Sequence, residues 1–296
     1  MLVRRCLLLF WKILGVFVLP EGPEIQLAAD AVAEAIVGRP TTAVSFAFDQ
    51  LKKYEETLTG VLVTAVQAHG KAMVTRFANG WNIYSHNQLY GLWMVRDAYD
   101  FPETKRQLRL AIHNEAKSAL LYSASDIAVL QDGELDSHPF LSKLGPDLLD
   151  TAVTIPQVAA RFVDNRFRRR RLTTLLLDQS FLAGLGNYLR SEILFVARVH
   201  PSCRPLDCTE EQIAALAEAA VSLTRQSYQT RGITNDVQLA EKLKAAGQSY
   251  RDYRFWVFDR DGRPCYRCGT PILKEKIGGR RLYYCPICQS TDLPIH

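Results

Sequence analysis

Four cysteines near the C-terminus constrain this chain more than any other feature. Cys265-Tyr266-Arg267-Cys268 and Cys285-Pro286-Ile287-Cys288 make a C-x2-C-x16-C-x2-C pattern. That spacing suits one tetrahedral zinc held by four thiolates, with redox pairs as the alternative. Between the pairs, Ile272 to Ile277, Gly278-Gly279 and Arg280 to Tyr284 read as a β-hairpin closed by a glycine turn. The chain is therefore expected to end in a metal-held finger. All four ligands come from the protein, so the zinc has no open position and is structural. Arg280 and Arg281 fall at the hairpin tip, where a guanidinium can meet a phosphate. The remaining cysteines are Cys6, Cys203 and Cys208, and the overall pattern reads as metal binding in a reducing compartment rather than as disulfides.

The 296 residues suffice for two domains, and 48% apolar composition supports ordinary globular cores. Nothing after residue 20 reads as a membrane span. The net charge of +5 is unevenly placed. Residues 20–160 carry 11 Lys and Arg against 17 Asp and Glu, whereas residues 161–296 carry 22 against 14. The basic half is the candidate nucleic-acid surface, although a solvated face gives the same count.

Pro20-Glu21-Gly22-Pro23-Glu24 precedes an amphipathic run and follows nineteen residues of a different character. As an internal segment it is a turn leading into a helix, with Pro23 near the first helical position and Glu24 in the first turn. As a chain end, Pro20 would carry a secondary amine able to attack an electrophilic carbon and form an iminium. A terminal amine has a reference pKa near 8 against about 10.4 for lysine, which favours it as a nucleophile at neutral pH. Residues 1–19 have Arg4 and Arg5 before an apolar run, in the manner of a signal or anchor. Lys12 interrupts that run, and Phe17 and Leu19 replace the small residues wanted before a cleavage site. The reading adopted is a start assigned too early, with translation beginning at Leu19 and methionine removal exposing Pro20. A retained, ordered extension is the remaining option.

Along the chain, Ile25, Ala28, Ala29, Val32 and Ile36 recur at helical spacing up to Gly38. Short β-rich segments follow at 42–48, 61–68, 72–77, 81–84, 92–96, 108–113 and 119–123, with Asn79-Gly80 as a hairpin signal. Repeated short strands imply a β-sandwich. Lys71 stands at a Gly-Lys step between two strands, either an edge lysine or one projecting into a cleft. Residues 85–91 form an amide-rich loop tipped by Gln88, Leu89 and Tyr90, able to wedge between bases or simply to pack on itself. After a linker at 146–153 the pattern turns helical. The arginine-rich run 161–171 reads as a helix face that is solvated or follows phosphates, 172–181 as an apolar helix, and 209–225 as another helix. The turn Ala183-Gly184-Leu185-Gly186 enters a helix at Asn187 to Val196, where free backbone N–H groups and the Asn187 amide would face an anion.

Taken together, Pro20-Glu21-Gly22-Pro23-Glu24, Gly70-Lys71, His138-Pro139-Phe140-Leu141 with Gly145-Pro146-Asp147, Leu177-Asp178-Gln179 through Asn187-Tyr188-Leu189-Arg190, and the cysteine finger resemble the formamidopyrimidine-DNA glycosylase and endonuclease VIII family. The loop Tyr84 to Gly91 looks like the endonuclease VIII branch. The resemblance implies an α+β multidomain fold: an N-terminal β-sandwich with flanking helices (20–145), a helix-two-turn-helix domain (154–250) and a β-hairpin zinc finger (251–289). It implies a bifunctional glycosylase and lyase acting on duplex DNA with oxidised pyrimidines or abasic sites. The enzyme would be a monomer without organic cofactor, in the bacterial cytoplasm at the nucleoid. Pro20 would be the nucleophile, Glu21 the general acid, Lys71 a lesion-phosphate and elimination residue, and Arg280 a phosphate contact in δ-elimination. Gln88, Leu89 and Tyr90 would fill the gap in the duplex, and Asn187 would contact phosphate. Lys143 stands where the family commonly has a DNA-contacting arginine, keeping the charge but losing the bidentate fork. If residues 1–19 are retained, the alternative is a zinc-dependent damaged-DNA-binding protein without catalysis; an oxidised-purine glycosylase is a further alternative.

Overall fold

The computed structural model describes residues 20–290; the expected extension at 1–19, with its early start, and residues 291–296 lie outside the described residues. Helix α1, Gly22–Ile36, begins three residues before the apolar pattern, because Pro23 suits a first turn and the Glu24 carboxylate accepts the Glu21 N–H at 3.0 Å. Its Ala29, Val32 and Ile36 pack into the core of the N-terminal half.

That core lies between two four-stranded antiparallel sheets. The strands are β1 Ala43–Phe46, β2 Val63–His69, β3 Ala72–Phe77, β4 Trp81–His86, β5 Leu92–Asp97, β6 Leu108–His113, β7 Lys117–Tyr122 and β8 Asp126–Gln131. One sheet runs β1-β6-β7-β5 and the other β2-β3-β4-β8. Phe46, Leu110 and Leu121 from the first meet Met73, Phe77 and Ile83 from the second, so the expected sandwich is present. Strand β8 escapes the sequence pattern because Val129 alone among its residues is buried, leaving no alternation to read. Its register against β4, from Trp81↔Gln131 to His86↔Asp126, is what makes it a strand.

The second half is helical: α2 Ile155–Val163, α3 Asn187–Val196, α4 Glu210–Gln229 and α5 Val237–Ala245. Thr154 and Thr209 cap α2 and α4 by accepting from the backbone N–H three residues on. Two expectations are corrected here. The arginine run does not continue as a helix face, because α2 stops at Val163. The Asp164 carboxylate takes both the Arg166 N–H (2.8 Å) and its guanidinium (2.7 Å), offering the backbone a turn instead. Likewise only Leu172–Leu175 of the expected 172–181 helix is helical. Beyond it, Asp178 accepts the Ser180 N–H and hydroxyl, while the Gln179 side chain donates to the Leu185 carbonyl and accepts the Gly184 N–H. The apolar residues of this stretch are buried all the same, Leu172, Leu176, Phe181 and Leu182 being part of one core.

Residues between the halves pack against both. Leu148 is buried in the helical core, Asp147 bridges to Ala183, and the Asp147 carboxylate accepts the Gly70 N–H at 2.9 Å. The finger hairpin is β9 Leu273–Ile277 and β10 Arg280–Tyr284, antiparallel, with Gly278 and Gly279 at positive φ in the turn. Leu282 and Tyr283 insert into the same core as α3, and the Tyr283 N–H donates to the Ser191 hydroxyl at 3.3 Å. Among the described residues no helix is long and apolar enough to cross a membrane.

Candidate active site

The glycine turn before α3 holds an anion, and that anion is the side chain of Glu21. Its carboxylate accepts the N–H groups of Gly186 (2.7 Å), Tyr188 (2.8 Å) and Leu189 (3.2 Å), which are the unpaired donors at the start of α3. The sequence requires glycine here for a steric reason: a Cβ on Gly186 would lie 2.4 Å from the Glu21 carboxyl. Gly184, at φ +87°, lets the Gly22 backbone approach closely enough for the Gly22 N–H to reach the Gly184 carbonyl at 2.8 Å. The Pro20-Glu21-Gly22 segment is thus fixed against the helical half by the Glu21 carboxylate and by a direct backbone contact.

Glu21 is only 2% exposed. Burial pushes its pKa up to about 7, with the nearby Glu24 charge adding to the rise. The Lys71 charge and the Tyr188 and Leu189 N–H donors oppose it, but desolvation wins. The Glu24 carboxylate is itself braced by the Tyr188 hydroxyl (3.0 Å) and lies 3.8 Å from the buried Arg254 guanidinium. Lys71 is held below the usual lysine range, first by burial and then by the Arg280 charge, while Glu21 and Glu24 act in the opposite direction. Glu21, Lys71 and Arg280 therefore share one field, beside Pro20. A carboxyl that holds its proton near neutrality, next to a lysine that gives its proton up more readily than usual, can supply and accept protons at physiological pH.

Arg280 is exposed at the start of β10, and its position is set from beneath. Fully buried Arg190 donates to the Arg281 carbonyl (2.7 Å), the Thr173 carbonyl (2.7 Å) and the Asn187 side-chain oxygen (3.4 Å). Burial lowers its pKa to about 10, so it stays charged. Asn187 stands at the first position of α3, on the same turn that holds Glu21.

Gln88, Leu89 and Tyr90 lie on the connection from β4 to β5, with Leu89 51% and Tyr90 59% exposed. Lys143 is exposed on the short helical turn Leu141–Lys143, and among the described residues no contact joins it to the group around Glu21. Two structural supports were not read from sequence. Arg190 is one of two charges, with Glu192, in a helix that is otherwise largely apolar, a signal that was there to be used. Arg254, buried against the Phe255 ring at 4.2 Å, carried none.

The sulfurs of Cys265, Cys268, Cys285 and Cys288 all lie within 4.8 Å of one another. Ligands about 2.3 Å from a tetrahedral zinc would sit about 3.8 Å apart; the Cys265–Cys288 pair is at 3.9 Å and Cys268–Cys285 at 3.4 Å. The Arg267 and Cys288 N–H groups point to the Cys265 and Cys285 sulfurs at 3.4 Å, as thiolate ligands require of their surroundings. The donor set fits one structural zinc.

The same architecture occurs in Lactococcus lactis Fpg (MutM) bound to DNA containing N7-benzyl-Fapy-dG. That structure superposes with a TM-score of 0.76 at 20% identity, covering 92% of this chain and all of that one. Three family models match in succession: the formamidopyrimidine-DNA glycosylase N-terminal domain over residues 19–124, its H2TH domain over 144–238, and the zinc finger found in FPG and IleRS over 262–291. Sandwich, helical domain and finger together make up a DNA glycosylase fold. The relatives narrow it further. Endonuclease 8 of Salmonella typhimurium (strain LT2) is 49% identical over 271 residues and that of Salmonella enteritidis PT4 48%, each matched along its whole length and over 92% of this chain. The chain belongs to the formamidopyrimidine-DNA glycosylase and endonuclease 8 family.

Proposed function

We propose that this chain is a base-excision-repair DNA glycosylase with abasic-site lyase activity, removing oxidised pyrimidines from duplex DNA through an N-terminal proline Schiff base. The observation that carries the reading is the Glu21 carboxyl, locked on the α3 turn beside Pro20 with its pKa pushed up to about 7. In this reading the Pro20 nitrogen attacks C1′ of an extruded nucleotide. Glu21 gives its proton to the sugar oxygen as the ring opens, the bond to the damaged base breaks, and an iminium links Pro20 to C1′. Lys71 contacts the lesion phosphate and assists base loss and β-elimination. Arg280, presented by the finger, neutralises phosphate charge in the δ-elimination that follows. Asn187 and Lys143 bind the DNA backbone, and Gln88, Leu89 and Tyr90 occupy the space left in the duplex. Zinc acts only by holding the finger that carries Arg280. A damaged base stacks poorly, which lowers the cost of turning it out.

The mechanism needs a free Pro20 nitrogen. Support comes from the match to the N-terminal family model, which begins at residue 19, and from relatives matched along their whole length over 92% of this chain. In this reading the mature protein begins at Pro20 and works in the bacterial cytoplasm, at the nucleoid. The test is N-terminal sequencing of the protein recovered from its host, followed by borohydride trapping on duplex DNA containing an oxidised pyrimidine. A chain beginning at Pro20 and a covalent adduct are expected. A chain beginning at Met1 that binds the lesion without cleaving it would instead make this a damage-binding protein. Parallel thymine glycol and 8-oxoguanine duplexes separate the pyrimidine from the purine range.

A further inference from the structure

The tip of the β4–β5 loop is apolar and exposed, yet it is not loose. Gln88 sits at φ +50°, a conformation unusual for a side-chain-bearing residue and sustained only when its surroundings impose it. Three side chains hold the tip, two of them through Gln88 itself. The His86 ring accepts the Gln88 N–H at its Nδ1 (3.0 Å), the Ser125 hydroxyl donates to the Gln88 side-chain carbonyl (2.6 Å), and the Arg106 guanidinium donates to the Tyr90 carbonyl (2.6 Å). Ser125 comes from the β7–β8 connection and Arg106 from the β5–β6 connection. Two separate parts of the sandwich therefore converge on one loop, and each holds an outer residue of the Gln88-Leu89-Tyr90 tip.

We propose that Ser125 and Arg106 are positioning residues for extrusion of the lesion base. They keep the tip in the shape in which it enters the stack, so the loop's ordering entropy is not added to the extrusion barrier. Their action runs through Gln88 and Tyr90. The inference rests on the proposed glycosylase activity and adds to it the residues that determine how readily a paired lesion is opened.

The protein is made from its own gene in its host as parent, Ser125→Ala, Arg106→Ala and Arg106→Lys. Single-turnover excision is measured on one oxidised pyrimidine in two settings: paired within a duplex, and inside a short run of mismatches where no pair must be opened. Loss of one such hydrogen bond should slow the paired reaction by about three- to tenfold. Excision from the mismatched run should stay within about twofold of parent, since the ordering entropy no longer limits it. Arg106→Lys should restore most of the paired rate, because an ammonium still donates to the Tyr90 carbonyl. A paired-to-mismatched rate ratio equal to the parent's in both alanine variants overturns the proposal. A parent that excises from neither setting overturns the glycosylase reading and this inference with it.

Discussion

Two buried glutamates in this molecule are solvated almost identically and serve different ends. Glu21 takes three backbone N–H groups from the α3 turn. Glu192, within α3, takes those of Trp256 (2.8 Å), Val257 (2.9 Å) and Phe258 (2.9 Å), together with the Thr234 hydroxyl (2.7 Å). Burial raises both pKa values. The difference lies in their neighbours. The Lys71 and Glu24 charges rank next after burial in setting Glu21, whereas the largest influences on Glu192 are burial and uncharged donors. A nest of N–H groups therefore makes a carboxylate rigid, and charged company beside a reacting centre makes it chemical.

Exchanging the acid for its amide should separate the two most sharply. Glu21→Gln keeps the size and an acceptor oxygen but has no proton to give. Single-turnover base excision should fall by about 10²- to 10⁴-fold, the usual worth of a placed general acid, while the melting temperature changes little by comparison. Equal losses of excision in Glu21→Gln and Glu192→Gln would erase the distinction.

Glu192→Ala should produce the opposite balance. It leaves the Trp256, Val257 and Phe258 N–H donors without this acceptor, each worth about 1–3 kcal/mol when stranded. The expected outcome is a clear drop in Tm by calorimetry, larger than the accompanying drop in excision per folded molecule.

The gentlest probe is pH. The Glu21 pKa is raised from 4.5 to about 7, so the folded state holds this proton more tightly than the unfolded chain does. Its contribution to stability is complete below about 4.5 and is lost as pH rises toward 7. Excision should decline as pH rises through about 7, tending to tenfold per unit well above it. Glu192→Gln should leave that limb in place and Glu21→Gln should remove it, which pH–rate profiles of the two variants would show.

How much of this was legible depended on whether the signal was local. The finger could be read because its four ligands and glycine turn fall within two dozen residues. The glycine turn before Asn187 was equally plain as an anion site, since unpaired N–H groups follow from the helix start itself. Which anion fills it was hidden, because the carboxylate belongs to a residue 165 positions away. Helix α2 was overextended through the arginines because periodicity takes no account of Asp164, whose side chain ends the helix locally. Strand β8 was invisible because its pairing with β4, not its own pattern, defines it.

The span between Glu21 and its donors has a consequence for biosynthesis. Glu21 emerges from the ribosome early, but the N–H groups that fix it belong to residues 186, 188 and 189. At about 5–20 residues per second, many seconds pass between the two ends of this site. A partly made chain thus carries this carboxylate without the donors that fix it. The carboxyl takes its final setting only late in translation, once α3 has been made.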